Sequence, residues 1–460
     1  MKRFSAVLRI ACVVLLQPVA FCQTPGDNQV AQRLHSYLSP FAETGNFTGA
    51  VLVVRNGRVL LRQSYGMANY ELNVPNLPET RFHIASISKP FTAAAILQLQ
   101  EQGRVRLSDP VSRYIPDFPN GNRITLDNLL THTSGIPDIN DLPDYDTFAR
   151  TPHSIPQLVA RVADLPLDFQ PGTDQRYSNS NYNLLALVLE KIARESYEAY
   201  LRRHIFDPAG MRDSGHDGDA SRLIRFQASG YLPAGIADYG KAPYIDWSNK
   251  TGNGSVYSTV DDLYRFDRAL NTDAVLKSAT REKYFVEGTG NRYGWYIGKR
   301  LGHRIMAGKG RSPGFAAELD RFPDDGVTII LLSNSYSSVS QDPIAEGLAA
   351  IVFGRQAPPA PTMYSAAVSQ STLASYAGRY QYGPDYFAPN AIFTLTPETG
   401  FLLLQLGDLH SPLVPLSTTD FLERNFFGHI VMLKNAEGNV EGLTCRYGER
   451  TFTAHRLGTK

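Results

Sequence analysis

Cysteine is scarce in this 460-residue chain: there are three, and Cys12 and Cys22 both fall within the first 22 residues. Loss of those residues as a leader leaves Cys445 alone, which excludes an internal disulfide framework and puts stability on the core. No uninterrupted apolar run approaches the ~20 residues of a permanent membrane span. The nearest, Ile10 to Leu16, is hemmed in by Arg9, Gln17 and Pro18. An excess of one charge is also missing, since Lys+Arg 45 against Asp+Glu 44 leaves +1. No large net field draws such a chain to nucleic acid, an anionic bilayer or a polyanion, so a small-molecule or peptide substrate is the expected partner. His, Asp, Glu and Cys do not gather at zinc or calcium spacing, and neither a metal nor a cofactor is expected. Internal repeats are absent, and nothing in the sequence fixes an oligomeric state.

What is present suits a filled globular core: 43% hydrophobic residues and only 19% charged. The length exceeds the roughly 250–300 residues at which single cores stop growing, so one large and one small domain are expected. Lys2 and Arg3, the apolar run and Ala20-Phe21-Cys22 have the order of an export signal cleaved before Gln23, implying a periplasmic or secreted protein. The expected division is a signal over 1–22, a large domain over 23–356, a Pro-rich linker over 357–369 around Ala357-Pro-Pro-Ala-Pro-Thr362, and a small β domain, barrel-like, over 370–460. The large domain is expected to open on a hairpin, because Asn56-Gly57 between Ala50-Val-Leu-Val-Val54 and Val59-Leu-Leu61 supplies the two positive-φ turn residues. From Ser86 to Gln102 apolar residues recur at a helical period, with Pro90 in the first turn and Gly103 as a stop, which predicts a helix buried on one face. A mostly helical stretch follows to about residue 270. Strands return near Tyr293 to Ile297, Phe315 to Phe322 and Val327 to Leu332, and a helix from Asp342 to Phe353 ends the domain.

The chemistry begins at Ser86-Ile-Ser-Lys89, the only S-x-x-K in the chain. At a helix start a three-residue step brings both side chains to one face, so the Lys89 amine can reach the Ser86 hydroxyl. A serine hydroxyl is a poor nucleophile until a base takes its proton, and lysine is such a base only where burial or neighbouring charge lowers its pKa. Taken alone the pattern is common by chance. Tyr177-Ser-Asn179 is the only Y-x-N and precedes a predicted helix. A phenol near a lysine can relay a proton and an amide can orient the amine, although an N-cap with a packed tyrosine beneath it explains the same letters.

Both elements lie within longer runs: Phe82-His-Ile-Ala-Ser-Ile-Ser-Lys-Pro-Phe91, Leu129-Leu-Thr-His-Thr-Ser-Gly135, Pro171-Gly172, Tyr177-Ser-Asn-Ser-Asn-Tyr-Asn-Leu-Leu185, Gly254-Ser-Val-Tyr-Ser-Thr-Val-Asp-Asp-Leu263 and Pro313-Gly-Phe315. In this order, over roughly residues 45 to 355, they resemble the serine β-lactamase and penicillin-binding-protein superfamily, in its class C-like branch with D-peptidases and esterases. The resemblance implies an α+β fold, an antiparallel sheet flanked by helices with a helical lobe across the cleft. It also implies Ser86 as nucleophile, Lys89 as its base, Tyr177 as relay to the leaving group and Asn179 as the group fixing Lys89 or the substrate amide. The family's third motif puts Lys or His, a small residue and Gly on the strand lining the cleft, but here the letters are Gly308-Lys309-Gly310. A one-residue step on a strand turns a side chain to the other face, so Lys309 cannot stand in unless a bulge resets the register. As a surface lysine it would be merely solvated. The backbone can still serve, with Gly310 and the N–H of Arg311 at the substrate and the Arg311 and Ser86 amides as oxyanion donors.

Gly310-Arg-Ser-Pro-Gly314 also matches G-x-S-x-G, but Pro313 lacks the amide that motif needs and a strand, not a helix, is expected after it. His132 is expected to fix a loop by a hydrogen bond, and His83 has no evident task. The leading expectation is acyl transfer to water through an ester at Ser86, on an ester, peptide or β-lactam substrate. The alternative is a catalytically idle protein of the same fold that captures a cell-wall peptide or a partner.

Overall fold

The computed structural model describes residues 25–336, 341–360, 364–407 and 409–458; the expected signal over 1–22 lies outside the described residues. The body opens on helix α1, Pro25–Glu43, and not on the expected hairpin. Leu34, Leu38 and Phe41 line its buried face at helical spacing, but Pro40 inside the helix has the look of a breaker in the sequence. The hairpin follows as β1, Gly49–Arg55, and β2, Arg58–Tyr65, with Asn56 and Gly57 at φ 51° and 77°. Next come helices α2, Ser88–Glu101, α3, Asn179–Ala193, and α4, Val260–Ala269. Strands β3, Tyr296–Arg300, β4, His303–Ser312, β5, Phe315–Phe322, and β6, Val327–Ser333, complete a six-stranded antiparallel sheet of order β3-β4-β5-β6-β1-β2, and α5, Gln341–Val352, returns across it. The first of these strands starts three residues later than the predicted Tyr293, because Arg292 and Trp295 close a turn on each other.

Alternation along the strands sorts the core into two layers. Val51, Val53, Ile329 and Leu331 pack toward α1 and α5, while Leu52, Ile330, Leu332 and Leu319 face the side that holds α2. Helix α2 departs from the expectation of one buried face: every residue from Ser88 to Leu99 is buried. It is enclosed by α3 and by the helix Tyr197–Leu201 as well as by the sheet side, so its small residues Ala93, Ala94 and Ala95 let neighbours approach on all sides. This burial holds the head of α2 rigidly at the bottom of a cleft.

The C-terminal region forms a closed barrel of eight antiparallel strands in chain order: β7 Gly378–Tyr382, β8 Ile392–Glu398, β9 Phe401–Leu406, β10 Leu409–Pro415, β11 Asp420–Glu423, β12 Gly428–Lys434, β13 Val440–Tyr447 and β14 Arg450–Arg456, with β14 paired back to β7. Its inside is filled by Tyr380, Phe393, Leu404, Phe421, Ile430, Leu443 and Phe452. Outside, Val414 and Leu422 join the layer of α1 and α5. Arg424, fully buried, donates to the carbonyls of Gly45, Gly235 and Asp238 and lies over the Tyr239 ring, tying barrel to body. Arg424→Ala strands those carbonyls, so a loss of roughly 3 kcal/mol is expected. Urea denaturation followed by circular dichroism reads it, and an unchanged midpoint would remove the barrel's claim to a stabilising clamp.

Candidate active site

Ser86 occupies a single 3-10 turn, Ala85–Ile87, immediately ahead of α2. Ala85 holds φ 47°, a left-handed conformation that costs a non-glycine residue about 1 kcal/mol. The bend projects Ser86, which is partly exposed, into a cleft of about 360 Å³. One wall comes from the helical lobe, with Asn140, Tyr177, Asn179, Lys250 and Asn253. The other comes from the sheet, with Tyr296, Lys309, Arg311 and Ser312, and from Asp342 of α5. No lining residue comes from the barrel among the described residues.

Two side chains converge on the Ser86 hydroxyl. Lys89 Nζ lies 3.2 Å from Oγ, and the Tyr177 hydroxyl donates to Oγ at 2.8 Å. Lys89 is fully buried, and burial first, then the charge of Lys250, pulls its pKa well below the ordinary lysine value against the opposing pull of Asp138. A neutral amine has two hydrogens and one lone pair. Both hydrogens have acceptors, Asn179 Oδ1 at 2.7 Å and the Asn253 carbonyl at 2.9 Å, which leaves the lone pair for the Ser86 proton. Asn179 is held in turn, since its Nδ2 donates to Asp138 Oδ2 at 2.9 Å. Burial also raises the Tyr177 phenol above its ordinary value, so it stays protonated and acts as a donor. The structure thus brings Ser86, Lys89, Tyr177 and Asn179 together.

Tyr177 is set by His132, whose ring stacks on it at 4.5 Å between centroids. His132 Nδ1 accepts from the Ser178 amide at 3.1 Å, and burial pushes its pKa down to about 3, so it is a neutral loop-fixing acceptor. His83 does have a task that the sequence did not disclose: buried, it meets Asp217 Oδ2 at 2.8 Å and stacks on Trp247 at 3.6 Å, which steadies the two-residue strand Phe82–His83 leading to Ser86.

Strand β4 runs past Ser86 with Gly310 facing it. A Cβ at Gly310 would fall 2.1 Å from the Ile84 carbonyl oxygen and 3.3 Å from the Ser86 nitrogen, so only glycine allows this approach. Pairing of β4 with β5 runs without a bulge, Lys309 opposite Glu318. Lys309 accordingly leaves the strand on the side opposite Gly310, yet it still borders the cleft, partly exposed and paired: it reaches Asp342 at 2.7 Å and Glu318 at 3.7 Å. Arg311 folds its guanidinium onto the Gly310 and Ala317 carbonyls and Gln341, with Glu318 at 3.7 Å. Ser312 ends the strand, its Oγ buried, and Pro313-Gly314 turns directly into β5, so no nucleophile elbow forms there. Lys250, Asn253 and Asp138 are cleft or support residues that sequence reasoning missed. The stretch from Ser248 to Gly254 has neither helical nor strand period, so only its Lys-Thr-Gly-Asn-Gly irregularity could have drawn attention.

An antiparallel sheet, a facing helical lobe, and a serine at the head of the helix between them, with lysine and tyrosine on its hydroxyl, define the class of serine hydrolases that includes penicillin-binding proteins. The chain belongs to the beta-lactamase family, whose model matches residues 34–352. It is 37% identical over 306 residues to the putative penicillin-binding protein PbpX of Bacillus subtilis (strain 168), covering 65% of this chain and 73% of that protein. The crystal structure of a penicillin binding protein from Bacillus halodurans superposes with a TM-score of 0.60 at 26% identity, over 70% of this chain and 98% of that one. The octameric penicillin-binding protein homologue from Pyrococcus abyssi shares the fold over 92% of this chain and 99% of its own, with a TM-score of 0.64 at 22% identity.

Proposed function

We propose that the protein is an exported serine hydrolase that forms an acyl-enzyme at Ser86 and hydrolyses an ester, peptide or β-lactam bond. The observation that carries this is the pair of contacts on one hydroxyl, a desolvated amine at 3.2 Å and a protonated phenol at 2.8 Å. Lys89 takes the Ser86 proton as Oγ attacks the carbonyl carbon. The oxyanion forms beside the amides of Ser86 and Arg311, a reading supported by the close passage of Gly310, the neighbour of Arg311, beside the Ser86 nitrogen. Tyr177 gives its proton to the leaving group and recovers one from the Lys89 ammonium. A water then delivers its hydroxide to the acyl carbon, its proton passes to the same amine, and that proton returns to Oγ as the ester bond breaks, which releases Ser86 with its hydroxyl and leaves Lys89 neutral again. Export rests on the Lys2, Arg3 and Ile10 to Leu16 pattern.

A fluorophosphonate or penicillin probe is expected to add its mass at Ser86, and Ser86→Ala to abolish this. A panel of p-nitrophenyl esters, nitrocefin and D-Ala-D-Ala peptides then assigns the bond type. The commitment of Lys309 to Asp342 favours one second reading, an idle binding protein of the same fold. Absence of labelling at high probe concentration would decide for it.

A further inference from the structure

The two walls of the cleft differ in how their cations are held. On the sheet wall Lys309 is paired with Asp342 and Glu318, and Arg311 lies against Glu318, Gln341 and two carbonyls. On the lobe wall Lys250 is only 7% exposed. Among the described residues its hydrogen bond runs to the neutral Asn140 Oδ1 at 3.2 Å, with the Tyr145 ring at 4.8 Å, and no carboxylate is paired with it. An ammonium out of water with no carboxylate in contact, Asp138 and Asp146 acting on it only from a distance, keeps a desolvation cost that a bound anion relieves. The chain turns tightly after it: the Asn253 and Gly254 amides both donate to the Lys250 carbonyl, at 3.0 and 2.7 Å, which puts Asn253 at its side. Asn253, 2% exposed, lines the same cleft, and its Nδ2 is buried with no hydrogen-bond partner. A cation short of a counter-ion and an amide short of an acceptor thus share one turn, both bordering the nucleophile's cleft.

We propose that Lys250 and Asn253 form the recognition site for a carboxylate of the substrate, on the wall opposite β4. The two carboxylate oxygens accept from the ammonium and from the amide, a charge-assisted pair that satisfies both groups. The cation displaced from the strand at Gly308-Lys309-Gly310 is thereby supplied from across the cleft. The proposal rests on the hydrolase function above in taking the bound acid to be a substrate. Charged and titratable groups facing Lys250 are Lys89 from α2, Asp138, which caps the turn Ile139–Asp141, and Tyr145 and Asp146 from the next short helix. Burial brings Lys250 down to about 8 against the pull of both aspartates. The site is therefore cationic below that pH and loses its charge above it.

Calorimetric titration of the full chain with N-benzoylglycine and with its uncharged amide tests this. The acid is expected to bind and the amide not, and acid binding to weaken as pH rises past about 8. Lys250→Met should weaken it by at least about tenfold, Lys250→Arg should retain much of it, and Asn253→Ala should weaken it several-fold. Bound acid should also slow fluorophosphonate labelling of Ser86, which locates it in the cleft. Equal binding of acid and amide, wild-type affinity in Lys250→Met, or loss of binding in Lys309→Met instead would overturn the assignment. If Lys250→Met fails to fold, the pH profile and the acid-against-amide comparison on the unaltered protein decide it. Acid binding with no labelling of Ser86 would sink the hydrolase function while leaving the site standing.

Discussion

Lys89→Met is expected to slow acylation of Ser86 by about a thousandfold or more, because it removes the only buried amine in contact with that hydroxyl among the described residues. Methionine nearly matches the length of lysine and fits an apolar sheath, so the fold should hold. The Asn179 Oδ1 and Asn253 carbonyl lose a donor, at about 1–3 kcal/mol, but the cost of desolvating an amine disappears with it. Lys89→Arg should be equally slow, since a guanidinium does not give up its proton in this pH range. The sign of the pH dependence follows from which form acts. With the neutral amine as the proposed base, acylation of the unaltered protein should fall as pH drops through the lowered Lys89 value, a limb that Lys89→Met should lack. Mass spectrometry of time-resolved labelling measures all three. Wild-type labelling in Lys89→Met would transfer the role of base to Tyr177, contrary to its raised pKa.

Lys250 enters this limb as well. Its charge helps to hold the Lys89 pKa down, so Lys250→Met should move the acid limb of acylation to higher pH. A carboxylate seated on Lys250 would act in the same direction, linking the binding of an acid to the strength of the base.

How much of this is legible in the letters depends on the range of the force involved. Asn56-Gly57 announces its hairpin because the constraint is local, two consecutive positive φ angles. Ser86 and Lys89 meet for a local reason too, although the serine proved to sit in a 3-10 turn before the helix and not in its first turn. The register argument at Lys309 is right that no bulge interrupts the pairing with β5, because strand period is a property of the backbone, but it does not foresee that the long side chain still borders the cleft beside Asp342. Tyr177, 91 residues from Ser86, reaches the hydroxyl through the packing of His132 and the lobe; its letters admit a relay or a packed tyrosine beneath an N-cap, and the resemblance to known proteins points to the relay. Helix α2 misled for the converse reason: its period is visible, but what covers its remaining faces comes from distant segments. Lys250 and Asp342 carry no local signal at all, and their significance lies in who fails, or comes, to pair with them.

Gly310→Ala should cost the second largest loss, about a hundredfold or more in acylation rate. The new methyl would sit 2.1 Å from the Ile84 carbonyl oxygen and 3.1 Å from its carbon, backbone atoms of the segment that carries Ser86. Neither can rotate away, so β4 and the Ser86 turn must separate. The amides of Ser86 and Arg311 then no longer close on one oxygen, and an oxyanion held by one donor in place of two loses about 3 kcal/mol of stabilisation. Overpacking by one methyl at a site that opens to a cleft costs the fold about 1–3 kcal/mol. Gly308→Ala is the control on the same strand and face: its methyl meets Trp295 at 3.5 Å and Ile87 at 3.7 Å, ordinary contacts. Stopped-flow burst kinetics with a p-nitrophenyl ester should therefore show a slow burst in Gly310→Ala and a nearly unchanged one in Gly308→Ala. Equal bursts in the two variants would mean that the close passage of β4 serves packing alone, and that the oxyanion is held elsewhere.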